Sequence, residues 1–233
     1  MCKSSNKKGL RILNFNVEGL STELDDPTFI ELMNRHDICL LNETWKTDDS
    51  KVGLPGFWDF SQVRNKGTKR GRPSGGVSVF CKTDIRKGVR IASHQEGFIW
   101  IKLDCKFFNL INPLYICATY IPPEYSKRKQ SNPVDYYKDL ADALARYTQK
   151  GNVIIAGDLN SRTGPSSLNG YKVTPGLSNL CLEEYSVASE RGSCDNKSNN
   201  YGKILNAICK EYGLIIANGR LPGDRIGNFT CHY

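Results

Sequence analysis

No apolar run in the chain approaches the ~20 residues needed to cross a bilayer, and its first residues, Met1-Cys2-Lys3-Ser4-Ser5-Asn6-Lys7-Lys8, lack the apolar stretch of a secretion signal. An intracellular protein, nuclear or cytoplasmic, with no membrane partner is expected. The nine cysteines include no C-x-x-C pair, which fits a reducing compartment. Cys39, Cys81 and Cys117 fall inside strand-like runs, where a thiol packs as a small hydrophobe. Cys194, Cys209, Cys231 and His232 match no common zinc spacing. Histidine is scarce, with three residues: His36 at a helix end, His94 in a loop, and His232. No serine or cysteine nucleophile has an evident partner. Gly71-Arg72-Pro73-Ser74-Gly75-Gly76 lacks the Gly-Lys-Ser/Thr ending of a phosphate-binding loop, which argues against nucleotide hydrolysis.

What is present describes a folded protein. In 233 residues, 39% are hydrophobic and 24% charged, enough for one α/β domain with a sizeable core. A basic flexible tail at residues 1–8 precedes that domain, which takes in residues 9–233. The net charge of +8 and a pI near 9.0 suit an anionic partner, nucleic acid above all.

The apolar runs Leu10–Val17, Asp37–Glu43 and Asn152–Asp158 read as strands. The four apolar residues Val153–Ala156 predict a strand buried on both faces. Short strands at Val77–Cys81, Ile85–Ile91, Phe98–Leu103 and Leu114–Tyr120 predict an antiparallel middle, and Leu214–Ala217 and Asn228–Cys231 predict two last strands. Asp26-Pro27 starts a helix burying Phe29, Ile30, Leu32 and Met33. Asn132-Pro133 starts a second, and Tyr201–Tyr212 is a third, with Ile204, Leu205, Ile208 and Cys209 inward and Gly213 closing it.

Three of the apolar strands end in polar side chains: Asn16, Glu43, and the Gly157-Asp158-Leu159-Asn160 pair. Side chains of an extended chain alternate faces, so Asp158 and Asn160 are expected to project together. Carboxylates and carboxamides without His or Cys favour a hard cation such as Mg²⁺, which takes one or two carboxylates and fills its other positions with water and substrate phosphate. A second carboxylate can then take a proton from an attacking water. Phosphoester chemistry is the natural expectation.

Several segments carry a resemblance, running in order along nearly the whole chain: Ile12–Leu20, Leu41-Asn42-Glu43-Thr44-Trp45, Gly75-Gly76-Val77, Ala118–Pro123 and Gly157-Asp158-Leu159-Asn160. In these the chain resembles the endonuclease/exonuclease/phosphatase superfamily, deoxyribonuclease I-like. Asn-Glu-Thr-Trp, Tyr-Ile-Pro-Pro, Asn218-Gly219-Arg220 and Gly227-Asn228-Phe229-Thr230-Cys231 look most like the endonuclease domain of LINE-type, non-LTR retrotransposon polyproteins. The resemblance implies an α/β (α+β) four-layer sandwich: two mixed β-sheets face to face with helices outside. It also implies roles. Glu43 would hold Mg²⁺ or Mn²⁺ with help from Asn16, and Tyr120 would contact the scissile phosphate. Asp158 would orient or deprotonate water, and Asn160 would fix the neighbouring catalytic groups. The product would be nicked DNA with a 3′-hydroxyl, which in such elements primes a downstream reverse transcriptase domain.

The resemblance departs at the C-terminus. Family members carry a Ser-x-x-Asp-Tyr-like segment and a final Ser-Asp-His that this sequence lacks, and His232 is no substitute. A C-terminally truncated domain, lacking its last strands and impaired in cleavage, is therefore expected. DNA contacts are expected from Arg64, Lys66, Lys69, Arg70 and Arg72, from Lys127, Arg128 and Lys129, and from Thr230. The same motifs also suit a phosphomonoesterase or inositol phosphatase, or a non-catalytic DNA-binding remnant.

Overall fold

The computed structural model describes residues 9–63, 74–126, 135–165, 187–188 and 190–230. The chain divides into two compact units, Met1–Ile121 with Gln149–Asp158, and Pro122–Thr148 with Leu159–Tyr233.

All eight described strands belong to the first unit. Sheet one has the order β1-β2-β4-β3, with β1 Ile12–Asn16, β2 Ile38–Asn42, β3 Phe57–Gln62 and β4 Val77–Lys82. Sheet two has the order β5-β6-β7-β8, with β5 Val89–Gln95, β6 Phe98–Leu103, β7 Leu114–Tyr120 and β8 Asn152–Asp158. The pairs β1/β2 and β7/β8 are parallel and the others antiparallel, so both sheets are mixed.

Alternation along β2 explains its unbroken apolar run. Ile38 and Leu40 face sheet two, packing with Ile99, Ile101, Ile116 and Ala118, while Cys39 and Leu41 face the other way. That outer face is covered by α2, Pro27–Asn34, which follows the short α1, Leu20–Glu23. Asp26 caps α2 by accepting from the Thr28 amide at 2.8 Å, and Pro27 occupies the first turn, where a missing N–H costs nothing. Phe29 and Met33 are buried there, while Ile30 and Leu32 are only half-buried. Burial pushes the thiols of Cys39 and Cys81 up to about 12 and about 11, and that of Cys117 well above its ordinary value. These three cysteines are core groups.

Two strand expectations need correction in this unit, and one strand was not expected. β8 is not buried on both faces: β7 is its one described neighbour, and Ile154 is 41% exposed. Ile85–Ile91 is not one strand, because a 3₁₀ turn at Arg86–Gly88 precedes β5. β3 was not expected, since its buried positions alternate Phe57, Asp59, Ser61. Asp59 accepts from the Val52 amide, and Ser61 and Ser78 hydroxyls bond at 2.8 Å, so both polar groups are satisfied inside. A third short helix, α3 (Cys105–Phe108), is capped by Asp104.

The second unit carries α4, Tyr136–Tyr147, capped by Asp135, and α5, Asn200–Glu211, capped by Asn199. Residues 132–134, where the α4 start was expected, lie outside the described residues. In α5 the buried residues are Tyr201, Gly202, Asn206, Ile208 and Cys209; Ile204 is 43% exposed, against expectation. Asn206 turns inward because its amide donates to the Thr163 carbonyl at 3.2 Å. Past Gly213, the Leu214 amide returns to the Cys209 carbonyl at 2.8 Å, the 6→1 bond of a Schellman end. Among the described residues neither Leu214–Ala217 nor Asn228–Thr230 joins a ladder, so the two expected last strands are absent there. The Asp224 carboxylate draws this stretch into a tight loop by accepting from the Gly219 and Asn228 amides at 3.2 and 2.8 Å. No helix among the described residues is long and apolar enough to cross a membrane.

Candidate active site

Parallel pairing brings candidate side chains to one end of each pair. Asn16 ends β1 in register with Asn42, the residue before Glu43, and Tyr120 ends β7 in register with Asp158. The facing sheets then bring the two pairs together: the Asn16 amide nitrogen lies 3.4 Å from a Glu43 carboxylate oxygen and 3.4 Å from an Asp158 carboxylate oxygen. Its direction is set locally, because Asn16 Oδ1 accepts from the Glu18 amide at 3.2 Å and leaves the nitrogen for the carboxylates. Both contacts are at the long end for a hydrogen bond, as unliganded sites often are.

The backbone around these groups is strained. Glu18, Glu43 and Trp45 have φ of 43°, 52° and 53°, in the left-handed region that non-glycine residues rarely adopt. Neighbouring backbone holds them. Beyond β1, Gly19 and Leu20 amides donate to the Glu43 and Thr44 carbonyls, each at 3.0 Å, and the Trp45 amide donates to Gly75 at 3.0 Å. Glycine is required for these approaches. A Cβ on Gly19 would lie 2.8 Å from the Trp45 ring, and one on Gly76 2.7 Å from Thr44 Oγ1. In β8, a Cβ on Gly157 would lie 1.9 Å from the Thr119 carbonyl oxygen.

Tyr120 is 8% exposed and packs into the core between the sheets. Asn160 belongs to the second unit. β8 ends at Asp158 and Asn160 has a left-handed φ of 49°, so strand alternation does not carry through to it. Thr230 is exposed in irregular chain. Arg64, Lys66, Lys69, Arg70, Arg72, Lys127, Arg128 and Lys129, together with Cys231 and His232, lie outside the described residues. His36 bonds the Leu32 carbonyl through Nδ1 at 2.8 Å, and His94 lies not in a loop but in β5, paired with Ile99, and packs edge-on against Phe60.

Sequence reasoning missed a carboxamide pair behind the site. Asn42 is fully buried and its amide donates to Asn14 Oδ1 at 3.0 Å, tying β1 to β2 one step before Glu43. The signal was available, since two asparagines interrupt otherwise apolar strands.

Among the described residues no three His, Cys, Asp or Glu side chains gather as a metal cluster. The donors present are two carboxylates bridged by an amide. That oxygen-rich, sparse set fits a hard cation that keeps water and substrate oxygens in its shell.

The fold has counterparts among known proteins. The fold is similar to the endonuclease domain of TRAS1, a telomere-specific non-LTR retrotransposon, at 13% identity and a TM-score of 0.50, covering 88% of this chain and 71% of that one. It is also similar to the catalytic domain of Xenopus laevis APE2, at 18% identity and a TM-score of 0.54, covering 84% and 67%. Among curated proteins none matches significantly. The model of the endonuclease/exonuclease/phosphatase family matches residues 13–207. With paired parallel strands delivering Asn16, Glu43 and Asp158 to one place within that match, the chain belongs to the endonuclease/exonuclease/phosphatase family.

Proposed function

We propose that the chain is a divalent-metal-dependent phosphodiesterase that nicks DNA, of the retrotransposon endonuclease type. The observation that carries this reading is the Asn16 amide set between Glu43 and Asp158, each at 3.4 Å.

Glu43 would hold Mg²⁺ or Mn²⁺ with Asn16 beside it. When bound, the ion stabilises charge on the phosphoryl and leaving oxygens. Asp158 accepts a proton from water as the water oxygen bonds to phosphorus, the bond from phosphorus to O3′ breaks, and O3′ takes a proton from solvent water to become the 3′-hydroxyl. Asn16 keeps both carboxylates oriented through that step. Tyr120 would contact the scissile phosphate, and Asn160 would orient the neighbouring catalytic groups. Basic side chains at Arg64–Arg72 and Lys127–Lys129 would add salt-sensitive phosphate affinity. In a polyprotein, the new 3′-hydroxyl would serve a downstream reverse transcriptase.

Supercoiled plasmid with Mg²⁺, run against small phosphate monoesters, tests the reading. Open-circular DNA that forms with Mg²⁺ and not with chelator supports it. Preferential release of phosphate from monoesters would move the assignment to a phosphomonoesterase of the same fold, and DNA binding without any nicking would leave a non-catalytic remnant.

A further inference from the structure

The segment that leaves β8 is fastened by its carbonyls. Those of Leu159, Asn160, Arg162 and Thr163 all accept hydrogen bonds within the second unit. The Tyr137 hydroxyl donates to Leu159 at 2.9 Å, Asn199 Nδ2 to Asn160 at 3.0 Å, the Asn199 amide to Arg162 at 3.1 Å, and Asn206 Nδ2 to Thr163 at 3.2 Å.

Asn199 is the centre of this net, and every polar atom of its side chain is used. Its Oδ1 accepts from the Gly202 amide at 2.7 Å, which caps α5, and from the Arg162 amide at 3.0 Å. That double acceptance fixes which end of the carboxamide is oxygen, so Nδ2 faces the Asn160 carbonyl. The α5 N-terminus sits against the segment: a Cβ on Gly202 would lie 1.9 Å from the Arg162 carbonyl oxygen. The Arg162 guanidinium makes a forked pair with Asp195 at 2.7 and 2.6 Å, and Asp195 also accepts from the Lys197 amide at 3.0 Å.

We infer that Asn199 is a positioning residue for Asn160: through its Nδ2 bond to the Asn160 carbonyl it holds Asn160 in its left-handed conformation, and so sets the direction of the Asn160 side chain. This rests on the reading of Asn160 as a member of the catalytic group. A helix cap alone needs only a side-chain oxygen, which serine or aspartate supplies as well. The donor is what the cap does not require, and it is the donor that reaches Asn160.

Asn199→Asp separates the two roles, because aspartate keeps an oxygen for the Gly202 and Arg162 amides and replaces the donor with a second acceptor facing the Asn160 carbonyl. Two measurements are made on the full chain: plasmid-nicking kinetics with Mg²⁺, and the carbonyl ¹³C and carboxamide ¹⁵N resonances of Asn160. The expected result is a kcat lowered about 10- to 100-fold, as for a catalytic group moved by about an ångström. KM stays within about threefold and the thermal midpoint within a few degrees, and the Asn160 resonances shift. Unchanged kcat in an active chain overturns the inference. If the parent chain does not nick, the endonuclease reading falls by itself and the resonances decide the inference: unmoved Asn160 signals in Asn199→Asp overturn it, and moved signals uphold the positioning.

Discussion

The strand ends at Asn16, Glu43 and Asp158 and the segment Leu159–Thr163 are held in place by opposite means. At the strand ends the backbone places the side chains. Ladder register sets Asn16 beside Asn42 and Tyr120 beside Asp158, and the apolar core between the sheets fixes their separation. In the segment the side chains place the backbone, with Asn199, Tyr137 and Asn206 gripping one carbonyl each. The first arrangement leaves its polar side chains available for chemistry. The second spends them on structure. Substitutions of the strand-end side chains should therefore abolish activity and spare the fold, while loss of the Tyr137 or Asn206 grip on the segment should erode the fold first.

The largest effect is expected at the carboxylates. Glu43→Gln or Asp158→Asn should each lower plasmid nicking about 10²- to 10⁴-fold with little change in thermal midpoint. A comparable loss of stability in either would break the contrast. Gly157→Ala tests the backbone beneath them. With 1.9 Å between the new Cβ and the Thr119 carbonyl, β7 and β8 must part, and urea denaturation should show a loss of about 3 kcal/mol or more. Asn206→Leu comes next, at about 1–3 kcal/mol in the same assay, because the Thr163 carbonyl loses its side-chain donor.

Asp195→Asn is the smallest, about 1 kcal/mol or less, as the pair with Arg162 is partly exposed. It carries a pH signature. The hydrogen bond from Arg162, aided by the Lys197 amide and opposed by burial, holds the Asp195 carboxyl below its ordinary value. A depressed folded value means its stabilisation is complete above the unfolded value of about 3.9 and is lost as pH falls through the lower folded one. The gap between parent and variant should stay constant from neutral pH to about 5 and close in stronger acid. A gap that widened in acid would contradict this assignment.

The same contrast explains what could be read from the sequence. Strands β1, β2 and β7 and the end of β8 were legible because apolar runs stop at polar residues, and α2 because Asp26-Pro27 is a local signal. β3 was not, since it buries Asp59 and Ser61 and leaves Trp58 and Phe60 half-buried, so its pattern gives no apolar face. Along α5, periodicity favoured Ile204 over Asn206, because the carbonyl that draws Asn206 inward lies 43 residues away in the chain. Leu214–Ala217 looks like a strand by composition, yet a strand exists only with a partner, and composition does not name one. The grip of Asn199 on Asn160 spans 39 residues and was equally out of reach.

Gly157 shows how this site would decay under mutation. Every other amino acid carries a Cβ, so each missense change at this codon meets the same carbonyl oxygen of Thr119. The position has no conservative neighbour in sequence space. A lesion there would strain the pairing of β7 with β8 and displace Asp158 next to it, whereas surface changes could accumulate for far longer.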